Sequence, residues 1–227
     1  HKPANVMLQG EPTRLNKRNL TEETCKKYKI HKDGDTLRFH YYSSDGRLLG
    51  AKVKTKDKRF SYVGETDGTF FGQHLFNNNG GRVVITEGEL DAASCLQAYP
   101  SIAVVSLPSG AASAKKSIQR NLEWLQGFEE IFLFFDNDEP GIKAEQEAAS
   151  VLPPGKVFIA HLPSDYKDAS DALSANDAST IRDAINDAKA YRPDGIVSGK
   201  DLLTLVTTPE PPNDYNYPYR GLNQMLH

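Results

Sequence analysis

Val83-Val84-Ile85-Thr86-Glu87-Gly88-Glu89-Leu90-Asp91 is an apolar run that ends on a glycine flanked by acids and then turns helical; further on, Ile131-Phe132-Leu133-Phe134-Phe135 ends in Asp136-Asn137-Asp138. Each run is short, continuous and bounded by turn-forming residues, the pattern of a strand buried on both faces. Strands that deliver carboxylates at their C-terminal ends are what a divalent-metal site in an open α/β sheet needs. Gly88 permits a tight turn and a close backbone approach. Two aspartates one residue apart, after five apolar residues, repel each other unless a cation lies beside them, and hard oxygen ligands suit Mg²⁺. Helix capping by acids and ordinary turn chemistry are the other uses of the same residues.

The flanking sequence repeats one unit. Val83–Thr86, Ile102–Leu107, Ile131–Phe135 and Val157–His161 read as strands. They alternate with helices expected over Leu90–Tyr99, Ala114–Gly127 (carrying the only tryptophan, Trp124), Pro140–Leu152, Ala169–Leu173 and Ser179–Ala190. This alternation predicts a mostly parallel sheet covered on both faces. Ligands of such sheets sit at the carboxyl ends of the strands. Glu87, Asp136 and Asp138 fall there, and Asp168 follows shortly after the fourth strand.

Before Gly80 the pattern differs. Residues 1–18 lead in irregularly, and Thr21 is placed to cap a helix running to Lys27 or Tyr28. From Thr36 the period is two: a strand over Leu37–Tyr42, a turn at Ser43-Ser44-Asp45-Gly46, and a returning strand over Leu48–Lys54. Continued to Phe60, the alternation puts Lys52, Lys54, Lys56 and Lys58 on one face. That face is either a solvated edge strand or a track for phosphates. Residues 61–81 read as turn-rich, with Asn77-Asn78-Asn79-Gly80-Gly81 as a boundary. The Pro-rich stretch from Thr207 reads as a linker, and Tyr219–Leu226 as the start of another folded element.

The 227 residues carry a formal charge of −3, unevenly spread: residues 1–82 hold 16 Lys and Arg against 9 Asp and Glu, and the rest hold 11 against 21. A basic part beside an acidic part suits a polyanion held by one and cations held by the other. No apolar run approaches the roughly 18 residues that a membrane span needs. Two cysteines, Cys25 and Cys95, cannot build a structural zinc site alone, and reduced thiols in an intracellular setting are expected.

Strand-Glu-Gly, strand-Asp-x-Asp-x-x-Gly and Lys167-Asp168-Ala169-Ser170-Asp171 together resemble the Toprim signature of bacterial and phage primases, topoisomerases and some nucleases. More closely, Lys52–Phe60, Gly72-Gln73-His74-Leu75-Phe76, Thr86–Asp91, Ser113-Ala114-Lys115-Lys116 and Lys167–Asp171 resemble the primase part of phage-type bifunctional primase–helicases, relatives of the mitochondrial helicase Twinkle. The resemblance implies an α/β Toprim-type sheet, mostly parallel, with flanking helices and a small basic α+β subdomain before it. It divides the chain into a template- and nucleotide-binding part (1–80), a catalytic part (81–193) and a linker towards a helicase (194–227). Carried over by motif, Glu87, Asp136, Asp138 and Asp168 are the catalytic and metal-binding acids. Glu89 and Asp91 are left with supporting or capping roles.

Lys52, Lys54, Lys58, Lys115 and Lys116 are the implied nucleotide contacts, and Arg14, Lys17, Arg18 and Arg59 the implied DNA contacts. The cofactor would be Mg²⁺, with Mn²⁺ as a substitute and no zinc site within this segment. The implied partners are single-stranded DNA, ribonucleoside triphosphates, zinc-ribbon and helicase domains of a parent chain, and a replicative DNA polymerase, in bacterial cytoplasm during phage replication. Lys167–Asp171 departs from the more usual Lys-Asp-Ala-Asn-Glu but keeps its acidic character. A Toprim nuclease or topoisomerase fragment, and a non-catalytic single-strand-binding module supporting a helicase, remain as alternatives.

Overall fold

The computed structural model describes residues 8–66, 68–78 and 80–192. The linker expected from Thr207 and the element expected over Tyr219–Leu226 lie outside them. α1 (Glu22–Tyr28) starts where Thr21 caps it: the Thr24 N–H donates to Thr21 Oγ1 at 3.2 Å, and the chain leaves through Lys29 in the left-handed region. β1 (Ile30–Asp33), β2 (Thr36–Tyr42), β3 (Leu48–Lys54) and β4 (Phe60–Gly64) form an antiparallel sheet in that order.

Three expectations change in this sheet. β3 is not an edge strand, because it pairs with β2 on one side and β4 on the other. The strand stops at Lys54, where residues 55–59 turn back: the Lys58 N–H donates to the Thr55 carbonyl and Lys58 takes a φ of 59°. Only Lys52 and Lys54 therefore share the alternation, while Lys56 and Lys58 ride on the turn. β4 occupies part of the stretch read as turns. Backbone bonds to β3 hold it and its residues are mostly exposed, so it carries no burial pattern to read.

The second sheet is built from β5 (Arg82–Thr86), α2 (Glu89–Ala98), β6 (Ala103–Ser106), α3 (Ala114–Arg120), α4 (Leu122–Gln126), β7 (Glu130–Phe134), α5 (Glu139–Ala149), β8 (Val157–Ile159), α6 (Ala169–Ser174), α7 (Ala178–Asn186) and β9 (Lys189–Ala190). Its strand order is β6-β5-β7-β8-β9; the first four are parallel, and β9 runs antiparallel to β8 where the last helix was expected to continue. The helix expected over Ala114–Gly127 breaks at Asn121, whose amide donates to the Ser117 carbonyl at 2.8 Å, a local bond that competes with helix propagation.

Alternate residues of the parallel strands serve different layers. Val83, Ile85, Val105, Ile131 and Leu133 pack with α3, α4 and α5. Val84, Val104, Phe132 and Phe134 pack with α2, α6 and α7, and the same cluster includes Leu20, Tyr28, Phe39 and Tyr41 from the N-terminal region. The two sheets thus share a core. Phe71 is ringed by Tyr28, Phe39 and Tyr41, whose rings are 5.3, 5.9 and 5.5 Å away, and its backbone bridges to Ser106, the last residue of β6. Tyr28 also donates to the Val104 carbonyl at 2.7 Å. Such ring pairs add to the free energy of area burial.

Candidate active site

The strand order sets the position of the site. α2 carries the chain from β5 to β6, while β7 lies on the other side of β5, so the order reverses at the carboxyl end of β5. Crevices of this kind take ligands in open α/β sheets. Thr86 and Phe134 are register partners, so Glu87, one residue past β5, and Asp136, two past β7, emerge next to each other.

Five carboxyl groups, Glu87, Glu89, Asp91, Asp136 and Asp168, line one open cleft of about 310 Å³. Burial, and then the charges of Glu87 and Asp168, push Asp136 up to about 6. Burial, with Asp168 and Asp136 adding to it, pushes Asp91 well above the usual carboxylate range. One oxygen of Glu87, Oε2, is buried without a hydrogen-bond partner.

Asp91 does not cap its own helix. Its Oδ1 accepts the Ser170 N–H at 3.0 Å and so ties α2 to the start of α6. Asp168 caps α6 by accepting from the Asp171 N–H at 2.7 Å.

Asp138 is different in kind. It caps α5 by accepting from the Gly141 N–H at 3.0 Å, and that bond, with help from Lys167, holds it below the usual range. The Lys167 ammonium lies 3.3 Å from Asp136 Oδ2 and 3.2 Å from Asp138 Oδ2. The cation that this pair of aspartates demands is thus supplied, in this structure, by the chain. A Cβ on Gly141 would stand 2.2 Å from the Asp136 carbonyl oxygen, which is why the last residue of Asp-x-Asp-x-x-Gly has no side chain. Asn137 is more than a spacer: its N–H donates to the Lys167 carbonyl at 2.9 Å and its amide to the Leu162 carbonyl at 3.3 Å. These bonds fasten the loop that carries Lys167 and Asp168 to the loop that carries the aspartate pair.

The opposite wall comes from the first sheet. Lys52 is buried, with its ammonium 2.8 Å from Glu89 Oε1 and 3.3 Å from the Pro108 carbonyl; Tyr41 donates to the same Glu89 oxygen at 2.6 Å. Lys54 also lines the cleft and is held below its usual pKa by burial and by Arg18. Arg18, expected as a DNA contact, reaches into the cleft and donates to Ser170 Oγ at 3.1 Å.

Arg14, Lys17, Lys56 and Lys58 line a neighbouring concavity of about 440 Å³, which shares Arg18, Lys54 and Leu90 with the acidic cleft. Lys115 and Lys116, exposed in the first turn of α3, and Arg59, exposed in the turn before β4, line neither.

Comparison with known proteins follows the same lines. The family of Toprim-like domains matches residues 84–173. The crystal structure of the primase fragment of the bacteriophage T7 primase-helicase shares 37% sequence identity and a TM-score of 0.72, over 78% of this chain and 75% of that fragment. The chain belongs to this family of phage primase domains.

A second T7 structure, in which primase domains of two subunits are bound to an RNA/DNA hybrid and dTTP and interact with the lagging-strand DNA polymerase, gives 37% identity and a TM-score of 0.73 over 80% of this chain and 94% of that one. The DNA helicase/primase of enterobacteria phage T3 is 37% identical over 207 residues, 87% of this chain. The chain spans 35% of that curated relative.

Toprim primases use a divalent metal, and the cleft of this primase domain fits one in chemistry. Its donors are hard carboxylate oxygens, one of them orphaned at Glu87, and Asp136 is raised by burial and then by the charges of Glu87 and Asp168. Among the described residues no three His, Cys, Asp or Glu side chains already stand close enough together to hold the ion. Sequence reasoning had not placed Asp91 in the cleft, nor Asn137 and Lys167 in the loops that shape it. The close spacing of Lys167 to Asp168 was the available signal for Lys167; Asn137 left none, because its backbone N–H and its side-chain amide bind carbonyls 30 and 25 residues away.

Proposed function

We propose that this domain synthesises short RNA primers on single-stranded DNA by Mg²⁺-dependent nucleotidyl transfer. The observation that carries the reading is one cleft with carboxylates at the switch point of a Toprim sheet on one wall and fixed lysines on the other. In this reading Glu87, Asp136, Asp138 and Asp168 hold the metal, Mg²⁺ or Mn²⁺ in its place. Bound there, a divalent cation neutralises triphosphate charge and stabilises the attacking and leaving oxygens.

The protein's own part is positioning and electrostatics. Lys52, immobilised by Glu89, and Lys54 present cations to the phosphates, and Lys52 does not have to be ordered when the substrate arrives. Lys167 holds Asp136 and Asp138 in place beside them. Arg14, Lys17 and Lys58, in the adjoining concavity, give the template backbone a basic path that joins the cleft at Arg18. Residues 1–80 then serve as the template and nucleotide part, 81–193 as the catalytic part, and 194–227 as the connection towards a helicase. Zinc-ribbon and helicase domains and a replicative polymerase are the proposed partners, in the cytoplasm of an infected bacterium.

The test is synthesis from ribonucleoside triphosphates on single-stranded templates with and without Mg²⁺. A metal-dependent oligoribonucleotide that Asp136→Asn fails to make supports the reading. Cleavage of supercoiled DNA without synthesis would replace it with a nuclease.

A further inference from the structure

β4 presents a feature that the acids and lysines leave unexplained. It is the outer strand of its sheet, and its residues are mostly exposed. Yet it carries two large aromatic side chains, Phe60 at 50% exposure and Tyr62 at 45%. They are two residues apart in the strand and so lie on one face, and both line the acidic cleft. An outer strand with open aromatic side chains invites unwanted pairing, and natural edges usually avoid it. Contiguous exposed apolar surface at a cleft marks a binding site.

The surroundings narrow the ligand. The ammonium groups of Lys52 and Lys54 lie 4.9 and 5.5 Å from the centre of the Phe60 ring. The aromatic pair therefore begins where the cationic wall ends, with carboxylates across the cleft. A ligand that meets all three surfaces has a flat apolar part, a polyanionic part and an affinity for metal-bearing carboxylates. A nucleoside triphosphate has that order of parts. A planar base stacks on an exposed ring without reading its identity, and the lysines are one step away for the phosphates.

We propose that Phe60 and Tyr62 form a stacking shelf for the base of the incoming nucleoside triphosphate. This rests on the primase reading and deepens it by separating base binding from phosphate binding. The shelf is tolerant of base identity, because both rings offer faces and edges rather than a donor–acceptor pattern in a pocket. It also gives β4 its reason to be aromatic and open.

The experiment measures equilibrium binding to the whole chain, with Mg²⁺ present, of ATP, GTP, base-free tripolyphosphate and single-stranded DNA. Phe60→Ala, Phe60→Leu and Tyr62→Ala are compared with wild type, and thermal unfolding confirms that each is folded. A single base–aromatic stack sets the scale at about a tenfold rise in the dissociation constant for both nucleotides in each alanine variant. Phe60→Leu, which keeps apolar bulk but not the ring, should weaken nucleotides in the same sense, and tripolyphosphate should bind all four proteins equally.

An equal loss of tripolyphosphate would overturn the proposal, since Phe60 would then act through Lys52 and Lys54. Unchanged nucleotide binding, or a loss confined to single-stranded DNA, would overturn it as well. Base-dependent binding in a protein that makes no primers would instead sink the proposed reaction and leave the shelf standing.

Discussion

Replacing Lys52 by Met is the perturbation that most directly tests how the two sheets make one site. Lys52 and Glu89 are 7% and 4% exposed and meet at 2.8 Å. Removing the lysine leaves a buried carboxylate with Tyr41, 2.6 Å away, as its remaining side-chain donor. Breaking a buried pair from one side costs about 3–5 kcal/mol. The surviving Tyr41 bond and the open cleft beside the pair argue for the lower end, about 3 kcal/mol. At roughly 2–4 °C per kcal/mol for a chain of this size, the melting temperature should fall by roughly 6–12 °C. Lys52→Met with Glu89→Gln removes both charges and keeps an acceptor for Tyr41, so most of the loss should return. Urea unfolding followed by Trp124, whose ring lies 4.8 Å from Phe128 in the other hydrophobic cluster, measures all four corners of the cycle. The double variant should regain stability and still bind nucleotide weakly, because its lysine is gone. A single variant losing less than about 1 kcal/mol, or losses that simply add, would refute the claim that Lys52 and Glu89 act as one coupled buried pair.

Four further outcomes are expected. Gly141→Ala, whose new Cβ would meet the Asp136 carbonyl at 2.2 Å, should lose about 1–3 kcal/mol in urea melts and most primer synthesis; a stable, active variant would show that α5 can shift. Asp138→Asn keeps a side chain able to cap α5, so its melting temperature should stay near wild type while synthesis drops roughly 10²-fold, and undiminished synthesis would remove Asp138 from the chemistry. Lys167→Ala should lower the melting temperature in metal-free buffer, where Asp136 and Asp138 lose their shared cation, and the gap from wild type should narrow as Mg²⁺ is added; a gap indifferent to Mg²⁺ would refute this. Glu145 is held up at about 8 by burial against an ordinary 4.5, so the folded state keeps a proton that the unfolded chain has released, and stability falls as pH rises from about 4.5 to 8. His161, 3.6 Å away and itself pulled below its usual pKa by burial, brings no charge to offset that at neutral pH. Glu145→Gln should flatten the fall by a few kcal/mol in melts across that range, and an unchanged slope would show that Glu145 is not the group responsible.

The parallel sheet was legible because its strands are buried on both faces and so must be apolar without interruption; Val83–Ile85 and Ile131–Phe134 could hardly read otherwise. The same rule hid β4, which owes its place to backbone pairing with β3 and leaves its side chains in solvent. It also hid the burial of Lys52, which was read as part of either a solvated edge or a phosphate track. A lysine in an alternating strand looks solvated, and nothing local reports that Glu89, 37 residues later in the chain, closes over it. Among the acids, Glu87 and Asp136 were legible from strand-end position, whereas Asp91 looked like a helix cap because its partner, the Ser170 N–H, is 79 residues away. Contacts set by tertiary structure leave their mark in sequence only when they demand an unusual residue, as Gly141 does.

The division of charge between the two ends of the chain has a structural cause. Glu87, Asp91, Asp136 and Asp168 crowd one cleft, and Asp136 and Asp91 are raised first by burial and then by the charge of their neighbours. A parallel sheet alone cannot relieve the strain from within, because the residues at its switch point are the acids themselves. The relief comes from chain segments outside that crevice: Lys52 and Lys54 from the first sheet, Arg18 from the lead-in, and Lys167 from the loop that Asn137 pins in place. In the proposed reading a polyanionic substrate needs these same cations, so the groups that make the acidic cluster tolerable before binding would be those left to meet phosphate after it. That double use would account for the first sheet sharing a core with the parallel one instead of being tethered to it. A flexibly tethered lysine would lose its ordering entropy on each encounter with substrate, whereas one fixed at 2.8 Å from Glu89 has already lost it in folding.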